Sequence, residues 1–304
     1  MVLVAPQTTS QWDDQAEFHD YMSAVNPVMP EIPVEAFLPL LYASGESRVI
    51  PLDMAASLKT PYPCTSPNLL ASFIRINAGD VLPIVAEATS HMFYVIEGQG
   101  ETRSEFGTIP WKTGDLLTSP HAKELRHYAD VETVLYWVCD APLLQYLGVA
   151  PGTARFEPVL YRQERLAAEL HKAREQNPGA NRNGILLSTP NFAQTMTLTH
   201  TLWSLYNALP AGVVQKPHRH NSVAIDYCVA AGPNTYTMIG KDIDVDGNII
   251  DPVKAPWVPG AVFITPPGYW HSHHNESDED AIVLPIQDAG LLTNMQVLDF
   301  QYVK

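Results

Sequence analysis

Apolar residues in this chain come in short bursts of period two, not in long helical stripes. From residue 68 onward, apolar runs at 69–76, 92–96, 115–118 and 133–138 are separated by turn-forming residues. The pattern resumes at 201–207, 223–229, 235–239, 261–265, 281–286 and 295–302. Evenly spaced short strands with turns between them predict an all-β fold of barrels or sandwiches. One segment breaks the pattern: RQERLAAELHKAR at 162–174 has helical spacing and predicts a helix. The stretch NPGANRN at 177–183 gathers Gly, Asn and Pro and predicts a linker. Residues 1–45 read as irregular, with one short helix expected at 13–24.

The two halves of the chain repeat. PWKTGDLLTSP at 110–120 and PWVPGAVFITP at 256–266 share Pro, Trp, Gly and Pro at the same spacing. Upstream, the run from Gly79 to Gly98 parallels the run from Gly212 to Gly232. Such a repeat predicts an internally duplicated β-unit. The expected organisation is an N-terminal arm at 1–45, a first barrel at 46–160, a helix and linker at 161–183, and a second barrel at 184–304.

Candidate chemistry gathers in the second half. Strand alternation puts His218 and His220 on one face and Arg219 on the other. His271 follows the turn Pro266-Pro267-Gly268, which can place it across from that pair. Three imidazoles with open positions beside them suit a metal that does chemistry. His273 would face the same way one pleat further out, and His274 would point away.

These runs resemble the two motifs of the cupin superfamily. The first reads Gly212, five residues, His218-Arg219-His220, four residues, Ile225, six residues, Gly232. The second reads Gly260, five residues, Pro266, Gly268, two residues, His271, three residues, Asn275. The resemblance implies a double-stranded β-helix, or jelly-roll, barrel for each half. The glutamate usual in metal-binding cupins falls at Ile225, which leaves three neutral imidazoles. With His218-Arg219-His220 and Trp270-His271-Ser272-His273, the chain resembles the gentisate 1,2-dioxygenase group of ring-cleaving bicupins.

That second resemblance implies a homo-oligomer that binds Fe(II), O2 and a small hydroxylated aromatic ring. It implies His218, His220 and His271 as metal ligands and His273 as the catalytic histidine. Asn207, Trp203, Trp270 and Asp226 would contact substrate. The group commonly carries an arginine where this chain has Asp226. The ring expected is gentisate-, hydroquinone- or aminophenol-like; an acid at Asp226 would repel a carboxylate and accept a hydrogen bond, which suits a phenol, hydroquinone or amino-substituted ring better than gentisate or salicylate. Ligand type alone leaves manganese, nickel or zinc open as the metal. Another metal-dependent cupin oxidoreductase or isomerase, or a non-catalytic small-molecule binder, also remains open.

Composition narrows the partners. With 18 basic and 33 acidic side chains the net charge is −15, which argues against nucleic acid and anionic membranes. Three scattered cysteines fit a reducing compartment, and no apolar run reaches membrane-span length, so a cytoplasmic protein is expected. In the first half, Val85 and Glu87 fall at the paired-histidine positions, His91 at the glutamate position and Leu125 at the third histidine. Glu87, His91 and His127 could form a second, weak site, with core packing the better reading. The acidic run KDIDVDGNIID at 241–251 lacks the closing glutamate of a calcium loop and reads as a hairpin insertion.

Overall fold

The computed structural model describes residues 12–25, 28–180 and 182–303. Two units separate at Glu31/Ile32. In the first, Tyr21–Val25 forms one exposed 3-10 turn, less than the helix expected at 13–24. The second unit is mostly antiparallel sheet, two sheets built mainly from each half of the sequence, with the N-terminal strand Ala36–Phe37 added to the edge of a second-half sheet.

In the first half, a six-stranded sheet runs Val159–Tyr161, Leu116–Pro120, Ser90–Glu97, Thr133–Cys139, Leu70–Ile76, Arg48–Pro51. A four-stranded sheet runs Val81–Pro83, Arg126–Ala129, Gln99–Ser104, Gly107–Lys112. In the second half, the six-stranded sheet runs Ala36–Phe37, Val262–Thr265, Ala224–Ala230, Ala281–Gln287, Trp203–Leu209, Asn183–Leu186. Its companion runs Val253–Pro256, Thr235–Gly240, Trp270–Asn275, His218–His220, Phe300–Tyr302. The fold is therefore all-β, two jelly-roll units with a few short helices. The expected helix forms as Gln163–Gln176 and buries Leu166 and Leu170. No described helix is long and apolar enough to cross a membrane.

Some local expectations need correction. The strand expected at 295–302 is confined to Phe300–Tyr302. Residues 295–297 instead close the helix Ala289–Asn294, donating their N–H groups to the carbonyls of Leu291, Thr293 and Leu292. The polar hairpin Gln99–Ser104/Gly107–Lys112 carried no apolar alternation to betray it.

Side chains of the two six-stranded sheets meet in one shared core. It contains Phe73, Tyr136 and Val138 from the first half and Ile225, Tyr227, Ile264 and Ile286 from the second. Tyr136 and Tyr227 stack at 5.0 Å across it. Each half also has its own inner core, one around Phe93, Trp111 and Trp137, the other around Cys228, Trp257 and Phe263. All three cysteines are buried and free.

The repeated Pro-Trp-x-x-Gly segment has the same job in both halves. Gly114 and Gly260 adopt φ of +86° and +84°, a conformation that glycine enters without a Cβ penalty. Each sends its N–H 2.8 Å to a strand carbonyl, of Val95 and Cys228 respectively. Trp111 Nε1 donates to Thr102 Oγ1 at 2.8 Å, and that hydroxyl lies 2.8 Å from His127 Nδ1. Trp257, Thr237 and His273 form the same chain with the same two distances. His127 is thus the first-half counterpart of His273.

Phe73 is fully buried between Tyr42, 4.6 Å away by ring centroids, and Tyr136, 6.2 Å away. Phe73→Ala is expected to cost about 3–5 kcal/mol of stability through lost burial and a cavity in the shared core. Urea unfolding monitored by far-UV circular dichroism measures it.

Candidate metal centre

Antiparallel register assembles the centre. His218 lies directly opposite His271, on the strands His218–His220 and Trp270–Asn275. Alternation turns His220 and His273 to the same side. The turn at Pro266–Gly268 joins the elements: Gly268, at φ +76°, donates its N–H to the His220 carbonyl at 2.7 Å. Asn275, the last motif residue, is a staple. Its amide nitrogen donates to the carbonyls of Leu209, Pro210 and Glu279, and its oxygen accepts from Thr235, Ser277 and the Ser277 N–H.

Hydrogen bonds at Nδ1 decide which ring nitrogen each histidine offers. His220 Nδ1 is 2.9 Å from the Ser222 carbonyl, and His271 Nδ1 is 3.0 Å from the Tyr269 carbonyl. A carbonyl only accepts, so Nδ1 carries the proton and the Nε2 lone pair is free for a metal. Ser222 also donates to Gln287 Oε1 at 2.7 Å, which ties the His220 partner in place. His218 differs: its Nδ1 sits 3.1 Å from Arg182 Nη1, a group that only donates. One potential ligand atom from each of His218, His220 and His271 lies within 4.8 Å of the others.

Burial is the first cause of the depressed basicity throughout the cluster. It holds His218 and His271 well below the usual histidine range, helped by neighbouring imidazoles, and lowers His220 to about 4 and His273 to about 3. Three buried, neutral imidazoles with two fixed tautomers form a donor set that fits a divalent transition metal.

A cavity of about 270 Å³ opens beside the histidines. Trp203, Asn207, Asp226 and His273 line it. Trp270 does not: it alternates with His271 to the far side of its strand, where Arg219 lies 4.9 Å over its ring. Asp226 is buried and accepts from Thr265 Oγ1 at 2.7 Å; burial raises its carboxyl to about 7. His273 keeps Nδ1 on Thr237, which leaves Nε2 as its remaining ring nitrogen. Sequence reasoning missed Arg182, Gln215, Gln287, Phe300 and Tyr302, all of which line the same space. The only local signal for Arg182 was a lone cation in a Gly- and Asn-rich linker.

Register also moves the position of the missing glutamate. Ala224 pairs with Thr265 as His91 pairs with Ser119, and Tyr227 pairs with Val262 as Tyr94 pairs with Leu116. The inward position is therefore Ala224, which lines the cavity, whereas Ile225 is buried in the core shared by the two halves. Counting back from Gly232 misleads because the following turn is longer here. Thr237 comes ten positions after Tyr227, while Thr102 comes eight after Tyr94.

The first half holds no such cluster among the described residues. Val85 and Glu87 are exposed; the ladder pairing Leu82 with His127 continues with the Ile84 N–H on the Leu125 carbonyl, so by register the counterparts of His218 and His220 are the apolar Ile84 and Ala86. His91 and His127 are buried against Phe93, whose ring lies 6.0 Å from the one and 4.6 Å from the other. Phe93 occupies the position of Asp226, so aromatic packing fills the space that is open in the second half. Near 241–251, Asp244 accepts the N–H groups of Asp246 and Asn248, as a hairpin turn does.

Known proteins carry related sequence and architecture, although no family model matches the chain. Over 103 residues, 34% of the chain, it is 29% identical to a 1-hydroxy-2-naphthoate 1,2-dioxygenase from Nocardioides sp. (strain KP7), covering 24% of that protein. A gentisate 1,2-dioxygenase from Ralstonia sp. is 27% identical over 147 residues, 47% of this chain and 38% of its own. A 5-aminosalicylate 1,2-dioxygenase from Comamonas sp. is 24% identical over 150 residues, 48% of this chain and 37% of its own. The aligned segments thus span less than two fifths of these relatives. Among solved structures, a salicylate 1,2-dioxygenase from Pseudaminobacter salicylatoxidans superposes with a TM-score of 0.73 at 15% identity, over 98% of this chain and 99% of that one. An oxalate decarboxylase variant from Bacillus subtilis reaches 0.54 at 16% identity, over 84% and 75%. At these identities the structural likeness establishes the fold.

Two substitutions separate the alternatives at the glutamate position. Ile225→Glu buries an unpaired carboxylate between the halves and is expected to cost more than about 3 kcal/mol. Ala224→Glu is expected to leave the fold intact and tighten divalent metal binding, measured by equilibrium dialysis. The Asp226 carboxyl, raised in the folded chain to about 7, keeps a proton that the unfolded chain loses from its ordinary value of 3.8 upward. Stability from this group is therefore present at acid pH and lost as pH rises through about 7. Asp226→Asn cannot ionise, so its stability relative to the unsubstituted protein is expected to rise by about 3 kcal/mol between pH 5 and pH 8. Urea titrations at the two pH values measure the difference.

Proposed function

We propose that this chain, a bicupin of the gentisate 1,2-dioxygenase-like group, is a dioxygenase that opens the ring of a hydroxylated aromatic acid. The observation that carries this reading is a buried three-imidazole donor set, free of protein carboxylate, opening onto an aromatic-walled cavity. Relatives named for hydroxynaphthoate, gentisate and aminosalicylate point the same way. Fe(II) is the metal proposed, held by His218, His220 and His271. When bound, it would supply the electron transfer between ring and O2 that the side chains cannot.

Each remaining residue has a task that its surroundings allow. Trp203 and Phe300, whose rings lie 6.1 Å apart, offer faces against which an aromatic ring can pack. Arg182 brings a guanidinium to the cavity, suited to a substrate carboxylate. The sequence alone argued against a carboxylate because Asp226 would repel it. A carboxyl raised to about 7 is substantially neutral at working pH, and in that form Asp226 donates a hydrogen bond. The Asn207 amide can meet a ring hydroxyl, and His273 Nε2, whose basicity burial lowers to about 3, can accept a hydrogen bond that orients it. A ring packed against Trp203 and Phe300 would displace water from the cavity, which strengthens each of these polar interactions.

Anaerobic loading with Fe(II), followed by oxygen-electrode assays, tests the proposal. Gentisate, hydroxynaphthoates, aminosalicylates, hydroquinones and aminophenols form the substrate panel. Oxygen uptake with at least one ring, with both metal and uptake lost in His271→Ala, is the expected result. One tightly bound ion per chain without uptake on any of these rings would overturn the dioxygenase reading in favour of another cupin chemistry or a binding protein.

A further inference from the structure

Arg182 contradicts the tautomer logic of the other two histidines. A metal at His218 Nε2 requires the ring proton on Nδ1, as at His220 and His271. Arg182 Nη1 points a proton at that Nδ1 instead, at 3.1 Å, which fixes the proton on Nε2. The guanidinium is held by Gln215 Oε1 at 3.3 Å and by the Lys216 carbonyl at 2.8 Å, and it sits 5.2 Å over the Tyr302 ring. No carboxylate forms an ion pair with it among the described residues, and burial is the first cause lowering its pKa. It is a partly desolvated cation with no counter-anion among the described residues, beside three imidazoles that fit a second cation. At such separations two positive charges in a partly dry site repel strongly.

We infer that Arg182 is a displaceable stand-in for the metal, released from His218 when an anionic ligand takes its guanidinium. Metal and a carboxylate ligand then bind cooperatively. The anion neutralises the guanidinium and draws it from Nδ1, after which His218 can move its proton from Nε2 to Nδ1. The reciprocal effect is required by linkage: a bound metal tightens binding of the anion by the same factor. The device would keep the redox-active centre sparsely loaded until an aromatic acid is present. This inference rests on reading the three histidines as a metal site; it does not depend on turnover.

Co(II) and benzoate test it. The visible bands of Co(II) report imidazole ligation, and benzoate has a carboxylate but no hydroxyl and is not a substrate for ring opening beside one. In the unsubstituted protein, saturating benzoate is expected to lower the Co(II) Kd by at least about fivefold. Arg182→Gln is expected to bind Co(II) at least about fivefold more tightly without benzoate and to show no further gain with it. Arg182→Lys, which keeps the charge on a different stem, should retain part of the benzoate effect. A merely structural arginine would have the opposite sign, with weaker Co(II) binding in both variants. Equal Co(II) Kd values in all three proteins, with no benzoate effect, would overturn the inference while leaving the metal site standing. No Co(II) bands in any of them would overturn the metal-site reading as well.

Discussion

The antiparallel register that sets His218 opposite His271 is the constraint on which the rest depends. One residue of slip would turn every imidazole of one strand away from the cavity. The register is pinned where it matters. Gly268 donates its N–H to the His220 carbonyl, so the turn that delivers His271 is bonded to the strand that carries its partners. Asn275 ties the far end of the His271 strand to the carbonyls of Leu209, Pro210 and Glu279. The ligand carbonyl bonds at Nδ1 then convert correct placement into correct chemistry, because they leave Nε2 as a lone pair for two of the three rings. Packing, tautomer and burial thus act on the same side chains, and the site is rigid because sheet ladders hold it.

Duplication supplied the frame, and divergence within it left one half open. Both halves hold a tryptophan, a threonine and a histidine in one hydrogen-bonded row. In the first half that row ends at Phe93 and Trp137, aromatic rings that fill the interior. In the second, Asp226 stands where Phe93 does, Ala224 where His91 does, and the interior stays open. The first half gains packing that supports the shared core behind Tyr136 and Tyr227. An Asp buried beside an open cavity costs stability at neutral pH, a cost that packed hydrophobic sheets on both sides can absorb.

The histidine cluster was legible in the sequence because its spacing is set by strand alternation and one tight turn, both local devices. Trp270 was misassigned to the cavity although the same alternation, applied to its own strand, puts it opposite His271. Ala224 and Ile225 were confused because a turn two residues longer than its first-half counterpart shifted the count from Gly232. Arg182, Phe300 and Tyr302 were illegible for another reason. Each reaches the cavity through pairings or crossings between distant segments, as in His218 facing Tyr302, and nothing in the local pattern of those segments encodes that. The ionisation of Asp226 also follows only from its surroundings: sequence shows an acid, while burial makes it a hydrogen-bond donor near neutral pH.

X-ray absorption at the zinc edge of the chain loaded with one equivalent of Zn(II) tests the central claim most directly, since it counts and types the ligands without reference to turnover. The account predicts three imidazole ligands at about 2.0–2.1 Å, no sulfur, and the remaining positions filled by water or added anion. A sulfur shell, or a signal fitted by a single imidazole with carboxylate oxygens, would contradict it and place the metal somewhere other than His218, His220 and His271.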